Sequence, residues 1–293
     1  MGKICETKIK GNTHNMRSTF FSSKNNTVCS GNKTPHPEHI NLFNSSKVDL
    51  TDRDFDGYFP NALIEYLQKS ETLDTLILTQ NKINEYSIVD LAKILEKNIS
   101  LTHLNLSSNQ IGNEGAKTLL DAIGKNANSS LSKLDLSNNN IDSIATDTIK
   151  YFMKTNKSLR TLILDDNALN TLADNNLTLS NLFESLSENQ TLQYISLKNT
   201  LLRSEDIKSL ICGLNNNKAL CEIDLSHSTT GVSADIIITL INLLKVREPK
   251  CILKLGKLSS ESFDRVQSVC EDNEELIQFD LPPKISLSKR SFM

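Results

Sequence analysis

A pattern of leucine and asparagine that returns about every 28 residues constrains this chain more than any other feature. The segment 101–111 reads LTHLNLSSNQI, which is LxxLxLxxNxI. With weaker and degenerate copies included, nine such units begin at Ser45, Leu73, Leu101, Leu131, Leu159, Leu192, Leu220, Lys250 and Leu276. A repeat of this period is typical of a solenoid, in which each unit stacks on the next.

The apolar positions of the units predict their local structure. The first, fourth and sixth positions are apolar in every unit except at Ser45 and Lys250. Apolar residues two apart lie on one face of a strand, because strand side chains alternate. The second half of each unit has helical spacing, as in the segment 88–95. Neither face can be buried within one unit, so we predict an α/β solenoid of about nine units, with a parallel concave sheet and convex helices.

Asparagine occupies the ninth position of four successive units, at Asn81, Asn109, Asn139 and Asn167. An Asn amide carries two donors and an acceptor, so a column of them can satisfy backbone groups in neighbouring buried turns. The alternative is that they are ordinary turn residues of an Asn-rich chain. The same slot holds Arg53, Thr200, Ser228 and Leu258 in four other units.

Composition excludes several classes of function. The formal net charge of −3 over 293 residues gives no long-range field for nucleic acid or an anionic membrane. No apolar run has the length of a membrane span or a secretory signal, so we expect a cytosolic protein. The six cysteines form no CxxC pair, which predicts free thiols and no metal site. Cys221 and Cys251 hold the second position of adjacent units, where we expect them to be neighbours.

The chain divides into three parts. Residues 1–44 are polar and lack an apolar period, so we predict a disordered segment. Residues 45–283 form the solenoid, with an extra stretch near 171–181 that predicts a surface loop and a C-terminal cap at 250–281. Residues 284–293 are predicted to be a flexible tail.

At these motifs the chain resembles the leucine-rich repeats of the ribonuclease-inhibitor type, over residues 45–283. Ribonuclease inhibitors, the sensor arms of NOD-like receptors and the GTPase-activating proteins of the Ran cycle share that fold, so the resemblance implies little about function. The Asn-, Lys- and Ile-rich composition and the short array resemble effectors that bacteria inject through Dot/Icm type IV secretion. The acidic residues near 271–275 and the ending KISLSKRSFM fit a translocation signal, or simply the flanks of the last strand.

The third, fifth and seventh positions of each unit should point out of the concave sheet. We predict that a protein partner binds there, a host protein if the chain is an injected effector. The predicted contact residues are Ile77, His103, Asn105, Lys133, Asp135, Ile163, Tyr194, Glu222 and Asp224. Tyr194 is the best single anchor, because large amphipathic side chains dominate interfaces.

No sequence motif of catalysis is present: GxSxG, the P-loop, HExxH and the Gly-rich dinucleotide fingerprint are all missing. We therefore predict a monomeric interaction scaffold with no enzymatic activity, no cofactor and no bound metal, and interpret His103 as a surface residue. The alternative is a GTPase-activating protein that presents Arg53, Arg160 or Arg203 from a strand end, as the Ran-cycle proteins present an arginine.

Overall fold

A computed structural model describes residues 46–55, 59, 61–127, 129–170, 179–229, 231–256, 258, 260–270 and 275–279. The predictions for residues 1–44, for the tail at 284–293, and for nearly all of the extra stretch at 171–181 lie outside the described residues. The acidic residues at 271–274 and Asp280 also lie outside them.

The strands form one nine-stranded parallel sheet in which every strand pairs with the next one along the chain. They are β1 (Lys47–Asp49), β2 (Thr75–Ile77), β3 (His103–Asn105), β4 (Lys133–Asp135), β5 (Thr161–Ile163), β6 (Tyr194–Ser196), β7 (Glu222–Leu225), β8 (Ile252–Leu255) and β9 (Ile277–Phe279). Equivalent positions of successive units are register partners from β1 to β8. The predicted parallel sheet of about nine units is therefore confirmed.

Each unit returns through a helix, and each helix packs against the next. The described helices are α1 (Asn61–Lys69), α2 (Ile88–Leu95), α3 (Gly112–Lys125), α4 (Thr146–Thr155), α5 (Ser180–Glu184), α6 (Ser204–Asn216), α7 (Ala234–Val246) and α8 (Ser260–Cys270). The core lies between the sheet and these helices. Leu104 and Leu106 of the third unit are 1% and 0% exposed, and Ile123 of α3 is 1% exposed. No helix in the described part of the chain is long and apolar enough to cross a membrane.

The asparagines of the ninth position join each unit to its neighbours. Asn109 Oδ1 accepts hydrogen bonds from the backbone N–H groups of Asn81 and Ile83, at 2.9 and 3.0 Å. Its Nδ2 donates to the carbonyl oxygens of Leu78 and Leu106, at 2.9 and 2.8 Å. One buried amide thus satisfies backbone groups in two units, which a short loop could not do with its own backbone.

The column continues on both sides of Asn109 and then changes chemistry. Asn81, Asn139 and Asn167 each donate from Nδ2 to a carbonyl of the preceding unit. Ser228 repeats this bond with its hydroxyl, which donates to the carbonyl of Leu197. Thr200 instead donates to Leu197 of its own unit. The residue before the ninth position has a left-handed backbone conformation, with a positive φ, in seven units: Asp52, Gln80, Ser108, Asn138, Asp166, Asn199 and His227.

A second column of side chains lies at the amino ends of the strands, on the opposite side of the sheet from the first column's turns. It was not predicted. Asn98, Asn156, Asn189 and Asn217 each precede the first leucine of a unit by three residues, and their Oδ1 atoms accept from that leucine's N–H at 2.8 Å. Arg247 holds the next slot, where its guanidinium donates to backbone carbonyls. The four-fold recurrence of Asn at this offset is the signal that could have revealed the column.

Asp206 lies at the junction of the fifth and sixth units and is fully buried. Its carboxylate accepts from Asn170 Nδ2 at 2.7 Å, from Ser180 Oγ at 3.0 Å and from the backbone N–H of Arg203 at 2.8 Å. Asn170 directly precedes the extra stretch of the fifth unit, and Ser180 lies near its end. One carboxylate therefore fixes both ends of that stretch to the start of α6.

The last strand differs from its prediction. A final unit that begins at Leu276 would pair Gln278 with Ile252, but Gln278 pairs with Lys254, two residues further along. The cause is packing, because this register buries Ile277 and brings the rings of Phe279 and Phe263 to a centroid distance of 5.4 Å. The apolar side chains that close the end of the core thus set the register, rather than the leucine of the repeat.

Candidate functional site

The concave face carries all nine predicted contact residues on consecutive strands. Ile77, His103, Lys133, Tyr194 and Glu222 occur in the register expected for one continuous surface, although they differ in exposure. His103 and Lys133 are exposed, whereas Ile77, Asn105, Asp135, Ile163, Tyr194 and Glu222 are half-buried. Asp224 is 2% exposed, which corrects its inclusion among the residues available to a partner.

Polar side chains at the fifth position form hydrogen bonds to the backbone of the following turn, which explains their low exposure. Asp135 Oδ1 accepts from the backbone N–H and the hydroxyl of Ser137, at 3.0 and 2.6 Å. Asn105 and Asp224 accept from the backbone N–H two residues later in the same way. Such side-chain turns satisfy the chain as it leaves a strand. These acids and amides therefore hold the turns as well as line the face.

A charged network crosses the face between β5 and β7, and we call its members Asp165, Ser196, Lys198 and Asp224 the concave network. Asp165 Oδ1 accepts from Ser196 Oγ at 2.5 Å and from the backbone N–H of Lys198 at 2.9 Å. Lys198 Nζ lies 3.1 Å from Asp224 Oδ2. Ser196 is completely buried. The network replaces the local Asp–Ser turn of other units with bonds that run from one unit to the next.

The electrostatics of the concave network reflect its burial. Burial raises the pKa of Asp165, although the hydrogen bonds from Ser196 and Lys198 act to lower it. Burial alone would lower the pKa of Lys198, but the hydrogen bond and charge of Asp224 raise it. Burial also raises the pKa of the neighbouring Tyr194 phenol. Shifted ionisation of this kind, in a partly water-excluded cluster, occurs at binding sites more often than elsewhere on a surface.

A second ion pair extends the paired charges to the next unit. Lys254 Nζ lies 2.5 Å from Glu222 Oε1, and this bond raises the pKa of Lys254. The lysines of the sixth and eighth units are thus neutralised within the sheet itself. Tyr194, the register partner of Glu222, presents a half-buried ring beside both pairs.

His103 has an acidic neighbour that was not predicted from its row of the sheet. The Thr102 hydroxyl contacts both the Asp74 carboxylate and His103 Nδ1, the latter at 2.6 Å. The Thr102 hydrogen bond lowers the pKa of Asp74, and the charge of His103 adds to that effect. The group lies in the open, where water competes for each of its bonds. No group of three or more His, Cys, Asp or Glu able to hold a metal ion occurs among the residues that the structure describes.

The cysteines of the described residues, Cys212, Cys221, Cys251 and Cys270, are free thiols. Cys221 and Cys251 directly precede the adjacent strands β7 and β8, and the N–H of Ile252 donates to the carbonyl of Cys221 at 2.8 Å. Their predicted proximity is therefore confirmed. Cys251 is fully buried, and burial raises the pKa of its thiol to about 12.

The residues missed by sequence reasoning are Asp165 and Lys198. Both hold the seventh position, where the second, third, fourth and seventh units have Thr or Ser. Charge at two successive seventh positions was the available signal. Without the structure, nothing shows that Ser196 is too short to cap its own turn and that Asp165 of the preceding unit does so instead.

Comparison with known proteins agrees with this geometry. The profile described as Leucine Rich repeat matches residues 97–120 and 127–144. Those residues include β3, the first nine residues of α3 and β4, which are most of one unit and the start of the next. The fold is a leucine-rich-repeat solenoid.

Several curated proteins are similar to the solenoid. "NACHT, LRR and PYD domains-containing protein 3" of Rattus norvegicus is 31% identical over 193 residues, which cover 64% of this chain and 18% of that protein. "NACHT, LRR and PYD domains-containing protein 14" of Mus musculus is 28% identical over 80% of this chain and 23% of its own length. "Ribonuclease inhibitor" of Sus scrofa is 25% identical over 69% of this chain and 44% of its length. The chain thus spans about a fifth of the length of the NACHT proteins it matches.

Solved structures with similar folds include leiomodin-1 actin-binding site 2, with a TM-score of 0.45 and 15% identity over 53% of this chain and 87% of that one. The tropomodulin C-terminal domain of Caenorhabditis elegans has a TM-score of 0.39 and 19% identity over 64% of this chain and 92% of that one. These likenesses concern the fold alone.

Proposed function

We propose that this chain is a protein-interaction scaffold whose concave face binds a protein partner, with Tyr194 as the central anchor. The observation that carries the proposal is the position of Tyr194, half-buried beside the concave network and the Glu222–Lys254 pair. Leucine-rich repeats imply an interaction scaffold in general, and this position supports Tyr194 as its strongest contact.

Tyr194 is suited to an anchor because its side chain is already half-buried against the sheet, which restricts its conformations before binding. An immobilised aromatic ring loses little conformational entropy when a partner covers it. Its neighbours on the sheet are Thr161 and Glu222, so the ring has a polar rim. Interfaces place their strongest contacts in such partly desolvated centres, surrounded by polar groups that exclude water.

Site-specific cross-linking tests the proposal. A photoreactive phenylalanine analogue replaces Tyr194 in one variant and Tyr151 in a matched control, because Tyr151 lies on α4 and is 66% exposed. We expect a specific cross-linked partner from position 194 and none from position 151. Tyr194→Ala should abolish capture of that partner, whereas Tyr151→Ala should not. Equal cross-linking from both positions, or capture that survives Tyr194→Ala, would exclude the concave face as the binding surface.

The cellular setting is a separate proposal: that the chain is an injected bacterial effector acting in the host cytosol. Its support is the Asn-, Lys- and Ile-rich composition, the short array and the polar ending that fits a translocation signal. A reporter that becomes active only in host cytosol, fused to the full chain, should give a signal in infected cells. The same fusion in a strain without a type IV apparatus is the control, and equal signals from both strains would refute delivery by that route.

The arginines considered for a GTPase-activating role do not form one site. Arg160 directly precedes β5, whereas Arg53 and Arg203 follow β1 and β6 beyond their carboxyl ends. The backbone N–H of Arg53 donates to Asn81 Oδ1 of the asparagine column, and the backbone N–H of Arg203 donates to the Asp206 carboxylate at the start of α6. No geometric observation favours this alternative, so the interaction scaffold is the single function proposed.

A further inference from the structure

Three basic residues lie side by side on the concave face, at the amino ends of the strands of the third, fourth and fifth units. We call His103, Lys133 and Arg160 the basic row. His103 and Lys133 are register partners on β3 and β4, and Arg160 directly precedes Thr161, the register partner of Lys133 on β5. All three are exposed. Neighbouring strands are about 4.8 Å apart, so the three side chains start from adjacent points on the sheet.

Two members of the basic row, Lys133 and Arg160, differ from the paired lysines of the same face in lacking a counter-charge among the described residues, whereas His103 is linked to Asp74 through Thr102. Lys198 and Lys254 each form an ion pair with a carboxylate of the next or the preceding strand. Lys133 and Arg160 have no carboxylate within ion-pair distance among the residues that the structure describes. The face therefore neutralises its own charge from the sixth to the eighth unit and leaves it uncompensated in the fourth and fifth.

The acids nearest to the basic row already have partners. Asp135, on the same strand as Lys133, accepts two hydrogen bonds from Ser137. Asp74, one unit before His103, is bonded to the hydroxyls of Thr75 and Thr102. These bonds fix both carboxylates in place, so neither needs to reach a cation of the row. The two free cationic groups are left to interact with groups from outside the chain.

We infer that the basic row binds an acidic peptide segment of the protein partner. The segment lies on the concave face, across the amino ends of the strands and beside Tyr194. This inference rests on the proposed function and adds the chemistry of the partner. Charge complementarity favours a short acidic peptide, because the positive charge is confined to three side chains on adjacent strands and does not form the extended positive surface that nucleic acid or a membrane needs. A lysine and an arginine on adjacent strands match a short row of carboxylates on one extended segment.

Binding of a fluorescein-labelled deca-glutamate peptide to the full chain, measured by fluorescence anisotropy at low salt, tests the inference. The variant Lys133→Gln with Arg160→Gln should bind about tenfold more weakly, because two uncompensated charges are lost. Lys93→Gln with Lys117→Gln is the matched control. It removes the same charge from α2 and α3, where both side chains are exposed, and should change the affinity by less than about twofold.

Equal weakening in the two double variants would show a non-specific charge effect and overturn the inference. The same holds for undiminished binding in the first variant, or for tighter binding of single-stranded RNA or anionic phosphatidylserine vesicles than of the peptide. The proposed function fails separately. If Tyr194→Ala leaves partner capture intact while peptide binding still depends on Lys133 and Arg160, the anchor is wrong and the basic row remains. Circular dichroism of each variant provides the check on folding.

Discussion

Removing one side chain of the asparagine column should destabilise the solenoid by several kcal/mol. Asn109 is 6% exposed and makes hydrogen bonds to backbone groups of both its own unit and the preceding one. In Asn109→Ala the buried N–H groups of Asn81 and Ile83 lose their acceptor. An unsatisfied buried donor costs about 1–3 kcal/mol, so we expect a loss of about 3 kcal/mol in the free energy of unfolding.

The chain itself supplies the matched control. Ser228 fills the same slot in the seventh unit, where its hydroxyl accepts from the N–H of Thr200 at 3.0 Å and donates to the carbonyl of Leu197. Asn109→Ser should therefore lose only about half as much stability as Asn109→Ala. Urea denaturation followed by circular dichroism measures both, with comparison of the m values to detect partial unfolding of the array. A loss below about 1 kcal/mol in the alanine variant would refute the reasoning.

Three further predictions follow from single contacts. Gly213→Ala would place a Cβ 2.2 Å from the carbonyl oxygen of Phe183, a backbone atom that cannot yield easily, so the melting temperature should fall by an amount equivalent to about 3 kcal/mol, measured by calorimetry. Asp206→Ala should cost about 3 kcal/mol in urea denaturation, because three donors lose a buried carboxylate, and an unchanged midpoint would contradict this. Iodoacetamide at pH 8 should label the exposed Cys221 in the native protein but not Cys251, whose buried thiol has its pKa raised to about 12; mass spectrometry should find Cys251 labelled only in denaturant.

The sequence determined the fold to a large extent because the repeat is redundant. Errors in one unit are corrected by its neighbours, so β1 was placed correctly although Ser45 breaks the pattern at the start of its unit. The last unit has a neighbour on one side only. There the contact of Phe279 with Phe263 decided the register, and a pattern centred on Leu276 could not anticipate it.

The concave face was predictable in position but not in exposure. Alternation along each strand indicates which side chains point outward, and nothing in that rule shows which of them bond to the turns below. Asp224 illustrates the limit, since its fifth-position slot predicts an accessible carboxylate. Its bonds to Ser226 and Lys198 withdraw it from solvent. Such cross-unit bonds depend on side-chain lengths in two units at once, which a single repeat motif does not encode.

The junction between the fifth and sixth units is built differently from the others. The asparagine column ends at Asn167, and the bonds that cross here come from Asp165 and Asp206 instead. The contact between the fifth and sixth units therefore depends on carboxylates, whereas the earlier units are joined by the neutral amides of the asparagine column. Tyr194 belongs to the first strand after this junction. A partner seated on Tyr194 would therefore contact the solenoid where the charge of its side chains, and not their amide groups, joins one unit to the next.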